Sequence, residues 1–357
     1  MSNMQFSTTS TTHPASAAAR EEALRAPRIG TVFTDHMVTI QWTREDGWHD
    51  ARVRPREPFS LDPASAVLHY AQEIFEGMKA YAQPDGTVAL FRPEDNARRF
   101  NASATRMTMP SIPEAVFVEA LEQLLRVDGA WVPKGEGTSL YLRPFMFASE
   151  SFLGVRPANR FTFCVIASPA GAYFKGGAEP IAVWVSEHYT RAAKGGTGAA
   201  KCGGNYAAGL IAQAEAHRHD CDQVVFLDAA EGRWIEELGG MNVFFVVDGV
   251  LVTPPLGTIL PGITRDSLIR IARKRGLDVE QRPYAFDRWQ ADAATGRLTE
   301  AFACGTAAVI ASIGTVRFED GEFRIPGRAL ADTLRDELVG IQRGVVADDF
   351  NWTWRVK

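Results

Sequence analysis

Cysteine is scarce in this chain: there are four among 357 residues, Cys164, Cys202, Cys221 and Cys304, widely spaced and without a CxxC pair. That spacing supports neither a zinc knuckle nor a disulfide framework and predicts a reducing compartment. Long apolar runs are also missing. No stretch approaches the roughly 20 residues needed to cross a bilayer, and no positively charged start leads into a hydrophobic signal core. A soluble, cytoplasmic protein is therefore expected. Positive charge is not in excess, since 38 Lys and Arg face 43 Asp and Glu for a formal net charge of −5. This argues against general nucleic-acid binding, which rests on neutralising phosphates. With 46% hydrophobic and 23% charged residues the composition is that of an ordinary globular protein, long enough for two domains.

The first 20 residues are rich in Ser, Thr and Ala and poor in acid, as in an organelle transit peptide, but Arg20 is their only arginine. A flexible tail over 1–27 is expected instead. Strand patterns follow at 37–42, 75–81 and 87–91, the last two joined by the turn residues Pro84-Asp85-Gly86. Helices are predicted over 93–107 and 113–127, with Pro in the first turn and, in the second, Phe117, Leu121, Leu124 and Leu125 at helical spacing. Strands at 139–147 and 161–168 complete a first domain, placed at 28–169, and a Gly/Pro-rich connection is placed at 170–181. A second domain over 182–357 should hold strands at 181–186, 223–227, 241–247 and 250–252, with Asp248-Gly249 as a hairpin turn. Helices are expected at 206–218, 265–275 and 330–342, and short strands at 301–304 and 309–313. Both halves read as α+β.

Chemistry concentrates in the second half. In KCGGNYAAG (201–209) Gly203 and Gly204 let the backbone approach a ligand and leave Lys201 accessible just ahead of a helix. Glu237 and Asn242 lie in EELGGMN, and LPGITRDS places Gly262 before a helix start, where backbone N–H groups favour phosphate. A lysine, a later carboxylate and a Gly-preceded helix start form the set that pyridoxal phosphate uses. The lysine forms a Schiff base, the carboxylate keeps the pyridine nitrogen protonated, and the helix start holds the phosphate.

Beyond these segments, the chain carries TDHM (34–37), LHYAQEIFEGMKAY (68–81), FRPEDNARRF (91–100), SLYLRPF (139–145), GVRP (154–157), GAYF (171–174) and ACGTAA (303–308). In this order they resemble the class IV pyridoxal-phosphate aminotransferases, and among them the branched-chain amino-acid aminotransferases. The resemblance implies a two-domain fold-type IV architecture, with a smaller α/β N-terminal domain and a larger C-terminal pseudo-barrel, assembled as a homodimer. It implies that Lys201 links the cofactor, Glu237 faces the pyridine nitrogen and Tyr206 lies near the ring hydroxyl. Arg99, Ile263, Thr264 and Thr306 would hold the phosphate. Arg98 is the rival of Arg99, which fits the spacing Arg92-Pro93, Asn96, Arg99.

Tyr141 and Arg143 stand two apart on a strand and share a face suited to a carboxylate. The resemblance adds Tyr70, Phe75, Val155, Tyr173, Gly240 and Ala307 as pocket walls, with Tyr70 and Val155 supplied by the partner subunit. It implies ping-pong amino transfer between L-leucine, L-isoleucine or L-valine and 2-oxoglutarate. Two departures stand out: Ala308 and Ala311 occupy the positions of a redox CxxC found in some relatives, and Gly240 replaces a threonine found in others. A D-amino-acid aminotransferase, an aminodeoxychorismate lyase or a non-catalytic cofactor carrier are the alternatives. His217 and His219, two apart on a helix, point apart and suggest no metal site.

Overall fold

The computed structural model describes residues 4–171, 173 and 179–356, and divides the chain into two compact units, Met1–Tyr173 with Gly340–Lys357, and Phe174–Val339. The first unit contains strands β1 (Ser7–Thr8), β2 (His36–Thr43), β3 (Gly47–Pro55), β4 (Glu73–Phe75), β5 (Met78–Ala82), β6 (Val88–Phe91), β7 (Ser139–Ala148) and β8 (Arg160–Ala170). Its helices are α1 (Ala17–Arg25), α2 (Ala66–Tyr70), α3 (Pro93–Arg106) and α4 (Glu114–Asp128). The second unit carries β9 (Ile181–Ser186), β10 (Gln223–Leu227), β11 (Ile235–Leu238), β12 (Asn242–Val247), β13 (Val250–Thr253), β14 (Val279–Gln281), β15 (Leu298–Gly305), β16 (Val309–Phe318) and β17 (Gly321–Arg324). Helices α5 (Gly203–Arg218), α6 (Ile263–Lys274), α7 (Phe286–Ala294) and α8 (Ala329–Gln342) accompany them, and β18 (Thr353–Arg355) returns to the first sheet.

In the first unit the sheet runs β1-β3-β2-β8-β7-β5-β6-β18, with β4 on β7. Pro93 opens α3, where a missing N–H costs nothing, and Glu94 and Asp95 complement the helix start. Helices α3 and α4 then bury Phe100 and Phe117 against Phe163 of β8, with ring centroids 5.3 to 5.8 Å apart. Each such buried ring contributes roughly 2–3 kcal/mol.

Two boundaries differ from the sequence reading. The expected tail over 1–27 is not free in its described part, residues 4–27: β1 pairs in parallel with β3, Ser16 caps α1, and the Thr11 N–H donates to His36 Nε2 at 3.0 Å. The C-terminal stretch does not finish the second unit, because β18 pairs antiparallel with β6. With that stretch counted, the first unit is the longer of the two, reversing the expected order of sizes. The alternation at 47–55 hides behind charged residues, so the sequence reading misses β3.

The second sheet runs β11-β10-β9-β16-β15-β12-β13-β14, with β17 on β16. Every residue of β12 is buried, which explains its unbroken apolar run Val243 to Val247. On one side Phe245 meets Tyr284 and Trp289. Elsewhere α5 sets Ala212 and Ala216 against Trp184 and Phe226. No helix of the described residues is long and apolar enough to cross a membrane.

Candidate active site

Lys201 sits at the end of a loop whose shape is set locally. A Cβ on Gly198 would lie 1.9 Å from the Thr258 carbonyl oxygen, so only glycine lets the two backbones approach. The Asn205 amide donates to the carbonyls of Thr197 and Ala200, each at 2.8 Å, and its oxygen accepts from the Thr197 hydroxyl at 2.6 Å. Cys202, buried, occupies the N-cap of α5, which begins at Gly203, three residues earlier than expected. Lys201 Nζ donates to Tyr206 Oη at 2.7 Å and lies 5.2 Å from the centre of the tyrosine ring. The amine is thereby aimed rather than dispersed in solvent.

Glu237 lies on β11, 4% exposed. Three donors hold its carboxylate: Arg191 as an ion pair at 2.9 Å, the Asn242 amide at 2.8 Å and the Leu260 N–H at 3.3 Å. Burial pushes its pKa up to about 7 against the opposing pull of Arg191, the Leu260 N–H and Lys201. The carboxyl therefore takes a proton more readily than an ordinary one, even with Arg191 and Lys201 opposing that. Arg191, itself buried, also donates to the carbonyls of Gly198 at 3.1 Å and Thr258 at 2.6 Å. One guanidinium therefore joins the lysine loop, the loop before α6 and the carboxylate.

The remaining predicted cofactor residues of this unit cluster at the same ends of β11, β12 and β15. Gly262 caps α6 and touches Asn242, whose amide oxygen would stand 2.0 Å from an added Cβ. Ile263 and Thr264 form the first helical turn, one to two residues before the expected start, and Thr264 is buried. Asn242 pairs with Cys304 across β12 and β15, which brings the turn at Gly305, Thr306 and Ala307 beside Gly240 and Met241. Gly240 in turn faces the Tyr206 ring, 3.7 Å from the position of a Cβ.

In the first unit, Tyr141 and Arg143 share a face of β7, and an Arg143 Nη donates to Tyr141 Oη at 2.9 Å. The Arg143 guanidinium lies over the rings of Phe75, at 4.7 Å, and Tyr141, at 5.3 Å. Its Nε is buried with no hydrogen-bond partner among the described residues. Gly77 is required here, because a Cβ would come within 2.1 Å of the Tyr141 hydroxyl. Arg99 is buried in a two-pronged pair with Glu76, both bonds 2.8 Å, whereas Arg98 is half exposed and pairs with Asp95 and Glu114. Tyr70, Val155 and Tyr173 are exposed, Val155 at 95%. Of the GAYF segment, Ala172 and Phe174 lie outside the described residues.

Sequence reading missed Arg191, Glu76 and the use of Asn242 as a support for Glu237. Arg191 stands ten positions before Lys201 in a loop without periodicity, so no pattern points to it. His217 and His219 part company as expected: His217 approaches Gln213 and His219 stacks on Trp184 at 3.8 Å.

Comparison with known proteins places this arrangement. The model of the amino-transferase class IV family matches residues 73–316. A branched-chain-amino-acid aminotransferase of Mycobacterium tuberculosis is 55% identical over 364 residues, 99% of each chain. Among solved structures, the branched-chain amino acid aminotransferase of Escherichia coli superposes with a TM-score of 0.74 at 29% identity, covering 89% of this chain and 99% of the other. The branched-chain amino acid aminotransferase from Thermobaculum terrenum, solved in its PLP form, gives 0.71 at 25% identity, covering 90% and 98%. With a family model spanning most of its length and full-length relatives above half identity, the chain belongs to the class IV aminotransferases, in the branched-chain-amino-acid aminotransferase family.

Proposed function

We propose that this protein binds pyridoxal 5'-phosphate and reversibly transfers the amino group between L-leucine, L-isoleucine or L-valine and 2-oxoglutarate, in two half-reactions of a ping-pong cycle. The observation that carries the reading is the Lys201–Tyr206 contact in the same unit as a fully buried, three-times-bonded Glu237. The residues fit the cofactor: a buried carboxylate with a raised affinity for a proton suits a pyridine nitrogen, and the start of α6 suits a phosphate. When bound, pyridoxal phosphate supplies an aldehyde for covalent capture of amines and a ring that withdraws electrons.

Lys201 would hold the cofactor and, once released by the incoming amine, move a proton from the substrate Cα. Glu237, kept in place by Arg191 and Asn242, would hold the ring nitrogen protonated. Tyr206 would orient both the lysine amine and the ring hydroxyl. The amides of Ile263 and Thr264, with Thr306 and Arg99, would bind the phosphate dianion. Arg99 brings a guanidinium already paired with Glu76, so its share would be partly neutralised.

For the substrate, Tyr141 and the unsatisfied Arg143 Nε offer donors to a carboxylate. Phe75, Tyr70, Val155, Tyr173, Gly240 and Ala307 would supply apolar walls. The exposure of Leu153, Val155 and Tyr70 supports a homodimer in which these residues are covered. A cytoplasmic location accords with four free, buried cysteines. The test is glutamate formation from 2-oxoglutarate with each branched-chain amino acid and with D-alanine, beside pyruvate release from aminodeoxychorismate. Turnover with the branched-chain substrates that is lost in Lys201→Ala is expected; preference for D-alanine or aminodeoxychorismate, or turnover surviving the substitution, overturns the reading.

A further inference from the structure

The carboxylate of Glu237 and the segment that opens α6 are fastened to each other by one side chain. Asn242, buried at the head of β12, is held in the sheet by its ladder partner Cys304 on β15. Its amide nitrogen donates to Glu237 Oε2 at 2.8 Å and to the Leu260 carbonyl at 3.1 Å, which uses both of its N–H groups. The Leu260 N–H returns to Glu237 Oε1 at 3.3 Å, beside the Arg191 guanidinium. Glu237, Asn242 and Leu260 thus close a ring of hydrogen bonds just ahead of Gly262, the N-cap of α6. On its other side the Asn242 amide oxygen presses on Gly262, 2.0 Å from where a Cβ would be. Gly262 has a φ of −66°, which any residue adopts, so glycine serves here to leave room for the amide.

We propose that Asn242 is a positioning residue that fixes the separation between the carboxylate assigned to the cofactor's ring nitrogen and the amides assigned to its phosphate. This rests on Glu237, Ile263 and Thr264 being the cofactor groups. Pyridoxal phosphate carries its ring nitrogen and its phosphate on one small ring, so their spacing varies little. A protein that presents both partners at that spacing beforehand binds without reorganising. Arg191 ties the same carboxylate to Thr258, further back in the loop, whereas Asn242 touches the N-cap residue itself. Being neutral, the amide adds orientation rather than charge.

The test compares pyridoxal phosphate with pyridoxal, which has the ring nitrogen and the aldehyde but no phosphate and so engages one end only. Dissociation constants are measured by equilibrium titration of the cofactor-free full chain, beside thermal unfolding of the same samples. Wild type should bind pyridoxal phosphate far more tightly than pyridoxal. Asn242→Ala releases Glu237 from α6, and the ratio of the two affinities should fall about tenfold or more, because a one-ended ligand follows a displaced carboxylate and a two-ended one cannot. Gly262→Ala, whose methyl would displace the amide without removing it, should lower the ratio in the same direction. A ratio unchanged in a variant that folds, equal loss of both ligands included, overturns the proposal. So does failure of both variants to fold, which would make Asn242 a purely structural residue. Wild-type protein that does not bind pyridoxal phosphate, or binds it no better than pyridoxal, would instead overturn the reading of Glu237 and α6 as cofactor groups.

Discussion

Two neighbouring carboxylates on one strand, Glu236 and Glu237, experience opposite faces of β11. Glu237 is held by Arg191, Asn242 and the Leu260 N–H, whereas Glu236 has one hydroxyl and, among the described residues, one oxygen without a hydrogen-bond partner. Both lie deep and both have a raised affinity for protons through burial. Burial alone therefore does not distinguish the carboxylate proposed for the cofactor's ring nitrogen from its neighbour; the set of donors does. A carboxylate meant to face a cationic ring nitrogen needs its orientation fixed beforehand, which donors from three different segments accomplish.

The strongest way to break the comparison is Glu237→Gln, which keeps the shape and removes the charge. Transamination should fall by about 100- to 1000-fold, the range for loss of one preorganised electrostatic partner, measured by glutamate release in steady state. A smaller loss than that of Glu236→Gln would invert the assignment of the two faces. Next is Arg191→Met, which strands Glu237 without its cation and should cost about 3–5 kcal/mol in urea unfolding. In a double-mutant cycle with Glu237→Gln most of that cost should disappear; additive effects would show that Arg191 acts only on the loops.

Third comes pH. The folded-state pKa of Glu237, about 7, lies above its ordinary 4.5, so between these values the folded protein without cofactor binds more protons than the unfolded chain. Its contribution is fully present below pH 4.5 and lost as pH rises through 7, by roughly 3 kcal/mol in all. Unfolding curves of wild type and Glu237→Gln at several pH values should diverge over that window and run parallel above it. The smallest effect is expected at Glu236→Leu, which replaces an incompletely bonded acid with an apolar side chain. Stability should stay within about 1 kcal/mol of wild type or rise, by thermal denaturation.

Much of this was legible in sequence because periodicity and turn chemistry are local. The strands at 181–186 and 223–227, the Asp248-Gly249 hairpin and the helices bearing Arg99 and Phe117 follow from side-chain periodicity, turn residues and the prolines at the helix starts. The order of motifs named Lys201 and Glu237 as candidates. What stayed hidden depends on contacts between distant segments. Arg191 gains its meaning only when Gly198 and Thr258 meet, and Glu76 only when β4 brings it to α3. Orphaned atoms such as Glu236 Oε2 leave no trace in a motif at all, since a pair of glutamates on a strand reads the same whether or not both are bonded. The end of the chain was misassigned for a related reason: three residues of β18 carry little pattern, and their partner β6 lies more than 260 positions away.

That last pairing sets an order of events on the ribosome. Trp352 accepts the Arg92 N–H through its carbonyl at 2.8 Å, and its indole lies under the guanidinium of Arg92, the residue just before α3. Synthesis must therefore deliver the whole second unit before the first can close its sheet and fix the start of the helix that carries Arg99. A nascent first unit waits with β6 as an uncovered edge, the kind of edge that recruits other chains. Shortening the protein before residue 352 would make that temporary state permanent.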